Sequence, residues 1–202
     1  MSFRDSVKYI FDRIFALIAI ILCIPLFLIV SVVMVARTGR PLFFKQKRVG
    51  KDGRLFTLLK FRTMCVNNDS NTISAGKDYR ITREGAFLRK WKLDELPELL
   101  NVLIGDMSFV GPRPDMPAYA SGLTGQDRKI LRLRPGITGP ATLKYLNEEE
   151  ILARVKDPVK YNDEVIFPDK VKINLKYVEQ YSLSEDIKLI YYTLIRKKIN
   201  EY

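Results

Sequence analysis

Residues 14–36 read IFALIAIILCIPLFLIVSVVMVA, 23 residues without a charge. As a helix rising 1.5 Å per residue, such a run is about 35 Å long, enough to cross the hydrocarbon of a bilayer. Pro25 lies near its middle, where the ring removes one backbone hydrogen bond and crowds the preceding turn, so a kink or a break is predicted there. Both flanks are basic, with Arg4, Lys8 and Arg13 before the run and Arg37, Arg40 and Lys45 after it. The cytoplasmic bias of cationic loops therefore assigns no orientation to a simple span. A re-entrant helix-break-helix that enters and leaves one leaflet, turning at Ile24–Pro25, satisfies both observations; a single-pass anchor with a tolerated proline kink is the competing reading. The backbone freed at the bend needs a partner, either Ser31 or the protein's own surface, because an unsatisfied amide in lipid costs several kcal/mol. A cleaved signal peptide fits poorly, since the run is longer than a signal core and no small-residue cleavage site follows it.

With its flanks this membrane part covers residues 1–40, and residues 41–202 remain for one compact domain, too few for two sizeable cores. Charge in that domain is uneven. Residues 37–62 hold nine cations, Arg37, Arg40, Lys45, Lys47, Arg48, Lys51, Arg54, Lys60 and Arg62, against the single acid Asp52. Such a stretch attracts anions, and its place just after an apolar segment favours anionic lipid head groups and substrate phosphates over nucleic acid, which is set aside as a partner. The chain has no histidine, which removes the Ser-His-Asp and Cys-His arrangements and most zinc sites. Two cysteines, Cys23 and Cys65, build neither a disulfide framework nor a thiolate cage, in keeping with a reducing compartment.

The fold class expected is α+β, a small cytoplasmic domain of helices with a β-hairpin. Residues 41–49 and 54–64 read as strands around Gly50-Lys51-Asp52-Gly53, with glycine available where the reversal needs positive φ. Residues 66–77 are polar and turn-rich and are expected as an exposed loop. Leu96, Leu99, Leu100 and Leu103 then recur at helical spacing until Gly105 supplies a stop, and Pro97 suits a first turn. Residues 115–133 carry a mixed pattern expected to be partly helical. A last helix opens at Ser184-Glu185-Asp186 with Ile187, Ile190, Tyr191, Leu194 and Ile195 on one face, suited either to the core or to lying among head groups. Pro112-Arg113-Pro114 and Arg134-Pro135-Gly136 form stiff mounts for their arginines.

Without histidine, the nucleophile is a carboxylate, a hydroxyl, a lysine or Cys65. Asp94 is the strongest candidate: a carboxylate that attacks phosphorus forms an acyl phosphate and needs cations or Mg²⁺ beside it. Neighbouring helical residues project about 100° apart, so Asp94 and Glu95 read as two roles, one attacking and one holding metal. The plainer alternative is that both acids only favour a helix start. Lys60, Arg62, Arg89, Arg113 and Arg134 are the candidate phosphate clamps.

Five motifs in order, Lys60-Phe61-Arg62-Thr63-Met64, Leu88-Arg89-Lys90, Leu93-Asp94-Glu95-Leu96-Pro97, residues 105–114 and residues 134–139, closely resemble the bacterial sugar transferases, the monotopic polyprenyl-phosphate phosphoglycosyl transferases. The resemblance implies transfer of a sugar-1-phosphate from a UDP-sugar to undecaprenyl phosphate, with release of UMP, through a covalent phosphosugar enzyme at the cytoplasmic face of the bacterial inner membrane, initiating glycan assembly. By the same resemblance Asp94 is the nucleophile, Glu95 a Mg²⁺ ligand, Arg89 and Lys60 phosphate contacts, and Arg113 a nucleotide contact. Two departures stand out. The family's break carries a Ser-Pro pair where this chain has Ile24-Pro25, and an acid seen near the family's C-terminus is here Asn174, leaving Asp169 as a weak candidate for a supporting acid. A membrane scaffold that only binds anionic lipid, and a lipid-linked glycosyl transferase that releases UDP, are the alternatives. Sugar identity is not written in these residues.

Overall fold

A computed structural model describes residues 3–65 and 80–199; the loop expected at residues 66–77 lies outside the described residues. It begins with α1, Phe3–Thr38, a 36-residue helix long and apolar enough to cross a membrane. The helix runs through Pro25 with no non-helical residue, so the interruption expected at Ile24–Pro25 is absent. Proline forfeits one backbone bond, and bending alone can relieve the clash of its ring.

The burial of α1 is confined to its two ends. Much of its middle is exposed, with Ile18, Ile21, Leu28 and Ile29 open and Leu22 at 74%, while Leu26 and Phe27 pack against the domain. Near its start, Lys8 and Asp186 form a buried ion pair at 2.5 Å, and Asp186 also accepts from Tyr177 Oη at 2.5 Å. Asp12 accepts from Ser108 Oγ at 2.7 Å, and Tyr181 Oη donates to Asp5. Ala16 enters a core with Phe56, Leu58, Val102 and Met107. Near its far end, Val30 and Met34 pack on Phe61 and Leu88. Asp5, Lys8 and Asp12 share one stripe of the first turns and are buried against protein, whereas Arg4 and Arg13 are exposed.

The hairpin forms as the alternation predicts. Strands β1, Phe43–Val49, and β2, Leu55–Phe61, pair antiparallel with Phe43 opposite Phe61 and Val49 opposite Leu55. The reversal uses Asp52 at φ 56° and Gly53 at φ 81°. Helix α2, Arg83–Trp91, is capped by the Thr82 hydroxyl, which accepts from Gly85 N. Helix α3, Glu98–Ile104, starts after Pro97 and stops at Gly105, whose φ of 102° suits glycine.

Strand β3, Ser108–Val110, pairs parallel with a later strand, which precedes a set of short helices. Residues 115–133, expected as partly helical, contain only α4, Pro117–Ser121, and a 3₁₀ stretch, Asp127–Arg132. Gly122 and Gly125, the latter at φ 54°, lie between them, and glycine weakens a helix interior. The partner strand of β3 is β4, Gly136–Thr138. The mounts for Arg113 and Arg134 touch backbone to backbone, with Gly136 N bonding Pro112 O at 2.8 Å and Gly111 N bonding Thr138 O at 2.9 Å. A Cβ on Gly136 would lie 2.1 Å from Gly111 N, so only glycine permits this approach.

Helices α5, Pro140–Lys144, α6, Glu148–Leu152, and α7, Pro158–Tyr161, lead into α8, Phe167–Gln180, whose Tyr177 and Val178 join Val110, Leu133, Leu143 and Leu189 in a core. Helix α9, Leu183–Leu194, is capped by Ser182, two residues before the expected opening at Ser184. Of its expected apolar face, Ile187, Tyr191, Leu194 and Ile195 are exposed, while Asp186 and Leu189 turn to the core.

Candidate active site

Asp94 and Glu95 occupy a 3₁₀ turn, Leu93–Glu95, between the end of α2 and the start of α3. Lys92, which joins α2 to this turn, has φ 58°, an uncommon conformation for a residue with a Cβ. Behind this reversal both carboxylates are buried, Asp94 at 7% exposure and Glu95 at 9%.

Cations from three other parts of the chain surround them. From the end of β2, Lys60 Nζ donates to Glu95 Oε1 at 2.8 Å. Arg113, held between its two prolines, donates through Nη2 to the same oxygen at 2.7 Å. Arg89, in the last turn of α2, donates through Nε to Thr63 Oγ1 at 2.9 Å, and its Nη1 lies 3.6 Å from Glu149 Oε1. A third carboxylate, unremarked in the motifs, completes the group: Glu98, 2% exposed, lies 3.2 Å from Lys60 Nζ. Its signal was available as an acid three residues after Glu95 in a first helical turn, which projects to nearly the same side.

The three carboxyl groups differ in electrostatic setting. Burial pushes Asp94 above its ordinary pKa of 3.8 and the negative charge of Glu95 adds to this, while Lys60 opposes it. Burial would raise Glu95 as well, but Arg113 and Lys60 more than offset it and hold Glu95 well below the usual carboxylate range. Glu98 is raised by burial, with Lys60 pulling the other way. Asp94 Oδ1 is buried and has no hydrogen-bond partner, an arrangement with a desolvation penalty of roughly 1–3 kcal/mol. Glu95 is thus a permanent anion clamped by cations, and Asp94 is an under-solvated carboxylate with an oxygen left open, a strong nucleophile once ionised.

Among the described residues no group of three or more Cys, Asp or Glu side chains is gathered for a metal ion. Mg²⁺ commonly needs only one or two carboxylates and completes its shell with substrate phosphates and water. Glu95 and the neighbouring Asp94, whose Oδ1 is unpartnered, together supply the one or two carboxylates required.

Two of the expected phosphate clamps have other duties. Arg62 Nη2 donates to Thr38 O at 2.6 Å and Gly39 O at 2.9 Å, satisfying carbonyls at the end of α1 that have no partner within the helix. Arg134 lies over the Tyr9 ring at 3.9 Å, and its backbone N–H donates to Tyr9 Oη at 3.3 Å. Both arginines fasten α1, one at each end, rather than facing Asp94. Asp169 lies apart as well, accepting from Lys144 Nζ at 2.7 Å and Tyr145 Oη at 2.6 Å. Those bonds outweigh burial and keep it below its usual pKa. The structure therefore brings together Lys60, Arg89, Asp94, Glu95 and Arg113 and adds Glu98.

A β-hairpin lysine, a proline-flanked arginine and a buried Asp-Glu turn thus converge in a chain whose first helix is long and apolar enough to cross a membrane. The chain belongs to the bacterial sugar transferase family, whose model matches residues 3–198. It is similar to "Uncharacterized sugar transferase EpsL" of Bacillus subtilis (strain 168), 35% identical over 196 residues that cover 95% of this chain and 89% of that protein. It is also similar to "UDP-glucose:undecaprenyl-phosphate glucose-1-phosphate transferase" of Xanthomonas campestris pv. campestris, 36% identical over 94% of this chain and 38% of that protein. A third relative, "Exopolysaccharide production protein ExoY" of Sinorhizobium fredii (strain NBRC 101917 / NGR234), is 32% identical over 93% of this chain and 83% of that protein. The chain thus spans well under half of the Xanthomonas relative and most of the other two.

Proposed function

We propose that this chain transfers a sugar-1-phosphate from a UDP-sugar to a polyprenyl phosphate such as undecaprenyl phosphate, releasing UMP, at the cytoplasmic face of a bacterial inner membrane, as an initiating step of glycan assembly. The substrate classes are supported by the printed activity of the Xanthomonas relative. The observation that carries the mechanism is Asp94, buried among cations with Oδ1 unpartnered.

In the first step an Asp94 carboxylate oxygen forms a bond to the phosphorus that bears the sugar. The bond from that phosphorus to the oxygen bridging it to uridine monophosphate breaks, and UMP departs with the electron pair. In the second step a phosphate oxygen of the lipid bonds to the same phosphorus, the bond to Asp94 breaks, and the carboxylate is restored. Lys60, Arg89 and Arg113 hold the diphosphate against the carboxylates, so that two anions can approach. Glu95 is the residue that would hold Mg²⁺, which when bound supplies neutralisation of the diphosphate charge.

The fastening of α1 supports a re-entrant anchor. Lys8 is paired with Asp186, and Thr38 accepts from Arg62, so both ends of α1 are gripped by one charged domain that has to stay on one side of the bilayer. The continuous helix supports a bend at Pro25 rather than an unwound break. The exposed middle residues supply the apolar surface for lipid.

The test is nucleotide release in detergent with undecaprenyl phosphate, Mg²⁺ and a panel of UDP-sugars. UMP is expected. UDP instead would make the protein a glycosyl transferase, and no nucleotide from any donor would favour a lipid-binding scaffold. Labelling of a cysteine tag at the N-terminus from the periplasm would sink the re-entrant anchor.

A further inference from the structure

Resting on the proposed sugar-phosphate transfer, we propose that Glu98 is a positioning residue, a tether that keeps the Lys60 ammonium at the site when Lys60 lets go of Glu95 to meet the substrate's phosphate. The argument starts from an imbalance in the carboxylates that share Lys60. Glu95 Oε1 has two cations, Lys60 at 2.8 Å and Arg113 at 2.7 Å. Among the described residues Glu98 has one, Lys60, at 3.2 Å.

Loss of Lys60 therefore has different consequences for the two. Glu95 keeps Arg113. Glu98, 2% exposed, would lose its one direct ion pair and keep only the longer-range attraction of Arg113, an unfavourable state for a buried charge. An incoming diphosphate competes for the same ammonium, and the bond Lys60 can release at low cost is the one to Glu95. Lysine has three donor hydrogens on a flexible stem, so Lys60 can pivot on Glu98 without leaving the site.

A favourable position for an acid in the first turn of α3 does not account for this arrangement. Such an acid serves the helix equally well when solvated, whereas Glu98, at the start of α3, is buried with its carboxylate on Lys60.

The test compares Glu98→Gln, Lys60→Met and the double variant, all checked by thermal melting. Glu98→Gln keeps the shape and removes the charge, so Lys60 collapses onto Glu95. The expected result is a KM for the UDP-sugar raised about tenfold, the loss of roughly one ion pair, with a smaller change in kcat. UMP binding, measured by calorimetry without turnover, should weaken in parallel. In the Lys60→Met background the same substitution should change neither quantity further. An unchanged KM and UMP affinity in folded Glu98→Gln would overturn the tether, as would an effect that persists in full without Lys60. If Glu98→Gln does not fold, Glu98→Asp replaces it, keeping the charge at shorter reach, with the same outcomes expected and the same results decisive. Release of UDP by the unsubstituted protein would instead refute the proposed reaction, and the calorimetric comparison would still decide the tether.

Discussion

Arg113 Nη2 and Glu95 Oε1 stand 2.7 Å apart, and the arginine is mounted between two prolines on a loop stitched to β4. Its guanidinium is pushed further toward the charged form chiefly by Glu95. Arg113→Lys keeps the charge but loses the planar fork and its reach, so it should not restore function. We expect both Arg113→Ala and Arg113→Lys to lower kcat/KM for the UDP-sugar by about 10²-fold or more, with the lysine variant recovering less than a tenth of the loss. Initial rates of UMP release check this.

Asp94→Asn separates chemistry from stability. An amide cannot form the covalent intermediate, so turnover should fall by at least about 10³-fold. The same change removes a buried carboxylate with an unpartnered oxygen, and the variant should melt a few degrees higher than the parent, in line with roughly 1–3 kcal/mol. Calorimetric melting and UMP release on the same preparation test both halves.

Asp115 gives stability a pH slope of known sign. Burial raises its carboxyl pKa to about 6 from 3.8. Between those values the folded protein binds the proton that the unfolded chain has released, so stability falls as the pH rises through that window, by at most roughly 1.4 kcal/mol per pH unit. Asp115→Asn should flatten the dependence of the denaturation midpoint on pH between about 4 and 6, while the parent declines across it.

The Lys8–Asp186 pair holds the start of α1 to α9 with both side chains 4% exposed. Lys8→Met or Asp186→Leu alone leaves one buried partner without its pair and should destabilise by about 3–5 kcal/mol. Together, Lys8→Met and Asp186→Leu should recover most of that loss, because two buried apolar side chains replace two desolvated charges. Denaturation in detergent micelles, analysed as a double-mutant cycle, measures the coupling.

Features written in local periodicity were legible. The β-hairpin appeared where alternating residues flank Gly50-Lys51-Asp52-Gly53, and α3 stopped at Gly105 where the leucine spacing ended. Features set by long-range packing were not. Strands β3 and β4 have three residues each and no usable period. The role of Arg62 depends on where α1 ends against β2, and that of Arg134 on a tyrosine 125 residues earlier in the chain. Glu98 went unread for a different reason: an acid at a helix start looks ordinary until its burial and its contact with Lys60 are known. The break expected at Pro25 rested on a local rule, and the helix continues through that residue.

Helix α1 is fastened to the rest of the chain near Lys8 and again near Thr38, with much of its apolar middle exposed between the two grips. An anchor held this way cannot tilt independently of the domain it carries. Lipid that is too thick or too thin for the exposed stretch would load the helix, and Val30 and Met34 would pass that load to Phe61, next in sequence to Lys60. The apolar helix and the lysine of the candidate active site are thus joined by one continuous path of packed side chains.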